Sequence, residues 1–226
     1  VVLEVEIESE PGLDQTVRLF VQGLEPATWY WYRFLTPDNY ASEIGRTCTA
    51  PHPESDAPLQ LAMFSCQSYE AGFFNSYQRL IVDDAARPLD EQTRLCVHVG
   101  DWYYETVGAP MRSMNETEPN PNNRDGSLRS NAGLPSGGGG SGRRKFAHTL
   151  DDFRFMHQQN LRDEALLRAR AQDPFVYIWD DHEVRNDYWQ SYDRDGPIQK
   201  NKLASNQAWF EYCPAALSRA AAGPAG

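Results

Sequence analysis

Three short segments, far apart in the chain, carry residue types that bind cations or move protons. They are Ser65-Cys66-Gln67-Ser68, then Gly100-Asp101 with Trp102-Tyr103-Tyr104-Glu105 behind it, and Asp180-Asp181-His182-Glu183. A carboxylate directly after a glycine, as at Asp101, meets little crowding. It could bridge two cations, which stand about 3.5–4 Å apart in two-metal hydrolytic sites. Asp181 adds a second hard oxygen donor, and His182 offers either a ligand or a general acid for a leaving oxygen. A Cys66 thiolate with a Tyr104 phenolate would favour a trivalent or soft transition metal over magnesium alone. Each segment also has a plain reading. Gly-Asp is often only a turn, and Asp-Asp-His-Glu could open a helix with its carboxylates at the positive end of the dipole. A lone cysteine is more often a small buried hydrophobe, and a lone tyrosine a packing residue. Brought to one place, the three segments favour metal-assisted chemistry.

Other candidates are weaker. His98 lies inside an apolar run and reads as a hydrogen-bonded core histidine, whereas His148 and His157 fall in or near a helical stretch and read as surface residues. Asn186, in Asn186-Asp187-Tyr188-Trp189, could hold a second cation or the substrate; a packed aromatic turn explains that cluster equally well. Asn115-Glu116-Thr117 fits a glycosylation acceptor. A Gly-rich nucleotide loop, a Walker lysine and a Gly-x-Ser-x-Gly elbow are all missing from the sequence, which weakens kinase, NTPase and α/β-hydrolase readings.

The elements that must position these residues follow from apolar spacing. Leu59 to Ser65, Leu95 to Val99 and Pro174 to Trp179 read as buried strands. Phe74, Tyr77, Leu80 and Ile81 give Phe73 to Ala86 a helical period, and Leu150 to Ala171 reads as one or two helices. Strands alternating with helices imply an α/β fold with a mostly parallel sheet. The carboxyl ends of such strands line one crevice, where ligands bind. All three polar segments fall at that edge. Ahead of them, Val1 to Ile7, Thr16 to Val21, Trp29 to Phe34 and Glu43 to Thr49 read as short strands of a small β-sandwich over residues 1–51. A proline-rich linker follows, then an α/β unit over 58–214. Residues 107–145, rich in Pro, Asn and Gly, read as a flexible loop without core-forming content, and 215–226 as a disordered tail.

Composition narrows the classes. The chain has 226 residues, 40% of them hydrophobic and 23% charged, an ordinary balance for a packed core. A formal net charge of -11 weighs against the basic surface that nucleic-acid binding needs. It leaves phosphate-ester chemistry open, because bound cations reverse a local field. The four cysteines have no paired short spacing, so neither a zinc ribbon nor a dense disulfide framework is suggested. No apolar run has the length of a membrane span. Val1 is not a methionine and leads straight into strand-like sequence, so the start is expected to be cut rather than natural.

The order Phe64-Ser65-Cys66-Gln67-Ser68-Tyr69-Glu70, then His98-Val99-Gly100-Asp101-Trp102-Tyr103-Tyr104-Glu105, then Trp179-Asp180-Asp181-His182-Glu183-Val184-Arg185-Asn186-Asp187 resembles the PhoD-like alkaline phosphatase/phosphodiesterase family. That family belongs to the calcineurin-like metallophosphoesterases. Gly23 to Phe34 and Ile44 to Pro51 look like its N-terminal fibronectin-III-like module. The resemblance implies part of a metallophosphoesterase α/β sandwich preceded by that β-sandwich module. By position it implies Cys66, Asp101 and Tyr104 around an iron-type metal, with Asp101 placed to bridge. Asp181 stands where the superfamily's Gly-Asn-His-Glu motif has a metal-binding asparagine, and His182 matches that motif's catalytic histidine. It further implies iron paired with calcium, hydrolysis of phosphate esters by a metal-activated hydroxide, and export to a periplasmic or extracellular location. Later ligands of the family, in a Gly-Asp-x-His-type segment, are expected downstream of Pro214. A second reading follows from that: a relative that keeps the fold for binding and lacks a complete catalytic cage.

Overall fold

A short apolar run becomes a strand only when a neighbour completes its hydrogen bonds. The computed structural model, which describes residues 2–107, 133–140 and 145–214, shows where this chain provides one. A hairpin of β1 (Trp29–Tyr32) and β2 (Gly45–Cys48) comes first. The α/β unit follows as β3 (Leu61–Phe64), α1 (Asn75–Ala85), β4 (Leu95–His98), β5 (Thr106–Val107), β6 (Lys145–Phe146), α2 (Leu150–Asn160) and α3 (Glu164–Gln172). It ends with β7 (Phe175–Tyr177), β8 (Tyr192–Asp193), β9 (Gly196–Pro197) and α4 (Gln199–Tyr212).

β3, β4 and β7 form a parallel sheet in chain order. Its register puts Phe64, His98 and Tyr177 in one row and Met63, Val97 and Val176 in the next. Successive side chains alternate faces, so the first row packs into the core with α1 and α3, where Phe64 meets Tyr77 at a 4.5 Å ring separation. The second row faces outward: Met63 is 71% exposed and Val176 45%. The strands were expected to be buried; they are covered on one face, and the other stays open to solvent.

Local signals explain the helices. Thr149 and Asp152 form a capping box at the start of α2, and Asp163 caps α3 by accepting the Leu166 N–H. The helical stretch is therefore two helices, broken at Leu161-Arg162. His98 is buried among the Trp102 and Tyr177 rings, as a core histidine, but the hydrogen-bonded histidine expected there needs correction: neither ring nitrogen has a partner among the described residues, and burial pushes its pKa down to about 4. His157 corrects the surface reading. It shares the face of α2 that carries Phe153, Met156 and Asn160, packs parallel to the Tyr212 ring and is wholly buried. Burial lowers its pKa to about 3.

The N-terminal expectation also needs correction. β1 and β2 pair antiparallel, Trp29 opposite Cys48, but Val1 to Ile7 and Thr16 to Val21 hold no strand among the described residues. Val2 and Phe20 are each 74% exposed. An alternating pattern stabilises a strand only against a second layer, and among the described residues none covers this segment. Polar contacts fix this segment instead: Arg154 donates to the Gly12 carbonyl, and Gln158 to Asp14.

The described residues of the segment 107–145 correct the reading of a loop without core-forming content. β5 pairs with β6, Leu134 is buried, and Gly139 bridges to Phe146, whose ring would lie 3.0 Å from any Cβ added there. Residues 108–132 and 141–144, including Asn115-Glu116-Thr117, and the tail 215–226 lie outside the described residues.

Arg46 docks the hairpin onto the α/β unit. Its guanidinium donates to Gln92 Oε1 (2.7 Å) and the Gln172 carbonyl, stands 3.3 Å from Asp173 Oδ1, and lies 4.6 Å from the Trp29 ring centroid. Burial pushes Asp173 up to about 7, with the Arg46 charge opposing and Asp84 adding to the rise. A carboxyl whose folded pKa is raised favours folding at low pH, and that contribution is lost as pH climbs from about 4 through 7. Arg46→Ala should therefore cost about 3–5 kcal/mol at pH 8, where it leaves a buried carboxylate unpaired. It should cost clearly less at pH 4.5. Urea unfolding at the two pH values checks this, and an equal loss at both would contradict the role given to Asp173.

Candidate metal centre

The donors sit where β3, β4 and β7 end. Past β3 and β4 the backbone turns left-handed at two non-glycine residues, Cys66 (φ 57) and Asp101 (φ 55). Such conformations cost roughly 1–3 kcal/mol each and persist only where surrounding structure enforces them. Here the two turns lace together: the Cys66 N–H donates to the Gly100 carbonyl (3.2 Å), and the Gln67 N–H to the Asp101 carbonyl (3.0 Å). Gln67 is itself held, donating to the Trp102 carbonyl and accepting from the Tyr77 hydroxyl. Gly100 (φ 107) brings this pair against the segment after β7, so close that a Cβ on it would lie 2.5 Å from Asp180 Cβ.

The result is a cluster. Ligand atoms of Asp101, Asp181 and His182 all lie within 4.8 Å of one another. Cys66 Sγ is 3.4 Å from Asp101 Oδ2, and the Tyr104 ring centroid is 4.3 Å from that of His182. Asp101, Asp181 and His182 thus meet at one rim of the sheet, with Cys66 joined to them through Asp101 and Tyr104 set against the His182 ring. Asn186 behaves differently. Its side chain is exposed and donates to Asp187 (2.7 Å), while its backbone N–H donates to Glu105.

Two carboxylates support the cluster without having been assigned a role from the sequence. Glu105, 1% exposed, holds His182 Nδ1 at 2.7 Å through Oε2 and accepts the Asn186 N–H through Oε1. Glu183, equally buried, accepts the backbone N–H groups of Trp102 and Asp180. The available signal was a carboxylate four residues after Asp101 and another directly after His182.

Electrostatics match a cation site. Burial raises the Asp101 pKa, His182 and Cys66 opposing and Asp181 adding. Burial and then the Asp101 charge raise that of the Tyr104 phenol, with Cys66 contributing. Burial alone would lower the His182 pKa, but the Glu105 hydrogen bond and charge, with Asp101 and Asp181, raise it on balance. Asp101 Oδ1 is buried with no hydrogen-bond partner among the described residues. An unpartnered carboxylate oxygen between a second carboxylate, a thiol and an imidazole fits a cation, which would reverse the local field and favour the ionised donors.

A parallel α/β sheet with these donors at its carboxyl ends has the architecture of a metallophosphoesterase-type fold. The chain belongs to the PhoD-like phosphatase family: that family's model matches residues 61–225, and the model of the family's N-terminal domain matches 1–51. It is similar to alkaline phosphatase D of Bacillus subtilis (strain 168), with 31% identity over 221 residues, which are 96% of this chain and 33% of that protein. The solved structure of PhoD matches with a TM-score of 0.70 and 30% identity, over 93% of this chain and 35% of that one. The chain spans about a third of the length of these relatives. Among the described residues, no helix is long and apolar enough to cross a membrane.

Proposed function

We propose that this chain carries part of the centre of a metal-dependent phosphoesterase, in which Cys66, Asp101, Tyr104 and Asp181 hold iron and calcium and His182 serves the leaving group. The observation that carries the reading is the convergence of Asp101, Asp181 and His182 within 4.8 Å at the ends of the parallel strands. Bound cations would supply Lewis-acid charge to the phosphoryl oxygens and activate water. The chain's own residues do the rest. Asp101 presents one carboxylate to both the Cys66 and Asp181 sides. Glu105 fixes the His182 ring through Nδ1, which leaves Nε2 to hand a proton to the departing ester oxygen. Asn186 donates its NH2 group to Asp187, so its Oδ1 is the atom that would meet a second cation or the substrate. Residues 1–51 would form one unit and 58–214 another, and the working location would be periplasmic or extracellular.

Elemental mass spectrometry of a protein of the relatives' full length carrying this chain, with and without Cys66→Ser, tests the metal assignment. Near-stoichiometric iron is expected in the wild type. A fall of about 10- to 100-fold in iron affinity is expected in the variant, at the least what loss of a supporting group costs. Metal-free wild-type protein, or unchanged iron in Cys66→Ser, would remove the assignment.

A further inference from the structure

Glu183 stands one residue past His182 and binds both sides of the cluster at once. One carboxylate oxygen accepts the N–H of Trp102, the residue directly after Asp101. The other accepts the N–H of Asp180, the residue directly before Asp181, at 2.8 Å. Its carbonyl accepts the Tyr103 hydroxyl (2.8 Å) and the Ser205 hydroxyl of α4. The bond to Trp102 fixes the peptide plane that follows the left-handed turn at Asp101, and the bond to Asp180 fixes the plane between Trp179 and Asp180, one residue ahead of Asp181. Charge-assisted bonds to backbone N–H groups are among the strong ones, so one buried carboxylate clamps both loops, next to the Glu105–His182 and Tyr103–Glu183 contacts that also join them.

We infer that Glu183 is the positioning residue that sets the spacing between the Asp101 and Asp181 carboxylates, and through it the affinity of the centre for a divalent cation. This rests on the metal reading above. A glutamine at 183 has a single acceptor oxygen, so its NH2 group meets one of the two N–H donors and that clamp opens. An aspartate keeps both acceptors but is one methylene too short to reach both loops. Supporting groups of this kind are worth about 10- to 100-fold in metal affinity.

Mn2+ titrated into the full chain and followed by its EPR signal gives the test, with urea unfolding run in parallel. Glu183→Gln and Glu183→Asp should each weaken Mn2+ binding by about 10- to 100-fold. Ser205→Ala removes a hydrogen bond to the same residue's carbonyl and leaves the carboxylate untouched. It should lower stability while keeping wild-type Mn2+ affinity. Wild-type affinity in either folded Glu183 variant overturns the proposal. An equal affinity loss in Ser205→Ala overturns it as well, because loosened packing would then be the cause. If the wild type takes up no Mn2+, the clamp proposal fails, while the iron assignment is decided separately by the elemental analysis above.

Discussion

Asp101→Asn, in a protein of the relatives' full length carrying this chain, should hydrolyse a chromogenic phosphate ester roughly a thousandfold more slowly than wild type. A metal centre contributes several kcal/mol of transition-state charge stabilisation, and each 1.36 kcal/mol is a factor of about ten in rate. Asparagine keeps the size of aspartate and tolerates the left-handed backbone that position 101 requires. It removes the charge that would draw cations between Cys66 and Asp181. The cation-free variant should be no less stable than wild type, because a buried carboxylate with one unpartnered oxygen is gone. Turnover is read on the ester and stability in urea. Wild-type turnover in a correctly folded variant would place the chemistry elsewhere.

Gly100→Ala is expected to cost about 2–6 kcal/mol, the sum of backbone strain and overpacking. The added Cβ would lie 2.5 Å from Asp180 Cβ and 2.7 Å from the Asp180 nitrogen, at a φ of 107. Relief would require Asp180 to retreat, yet its N–H is bonded to buried Glu183. The turn at position 100 also supplies the carbonyl that accepts the Cys66 N–H, so the thiol should drift from the cluster as the loop yields. Urea midpoints measure the loss. A variant within about 1 kcal/mol of wild type would mean that the loops relax freely and that close approach is unnecessary, since strain alone is worth at least that much.

The sheet was readable because its strands are short apolar runs that stop at polar residues: Phe64 gives way to Ser65-Cys66, His98 to Gly100-Asp101 and Tyr177 to Asp180-Asp181. The parallel arrangement followed from the intervening helices, and with it the meeting of Cys66, Asp101 and Asp181. Less legible were features that depend on a distant partner. Glu105 and Glu183 act across 77 and 81 residues respectively, on His182 and Trp102, and their nearness to Asp101 and His182 in sequence was the one signal setting them apart from solvated acids. His157 looks like any helical histidine until Tyr212 packs over it. Val2 to Ile7 alternates as a strand would, but alternation reports a capacity to pair and supplies no partner.

The left-handed turns at Cys66 and Asp101 also determine what a collection of random variants would retain. Valine, isoleucine and threonine are excluded at both positions by their branched Cβ, before any donor chemistry is consulted. Glycine and asparagine survive on conformational grounds alone. Selection for folding and selection for activity should therefore agree in rejecting branched residues and diverge on asparagine and glycine, and that divergence measures the donor atom apart from the backbone that carries it.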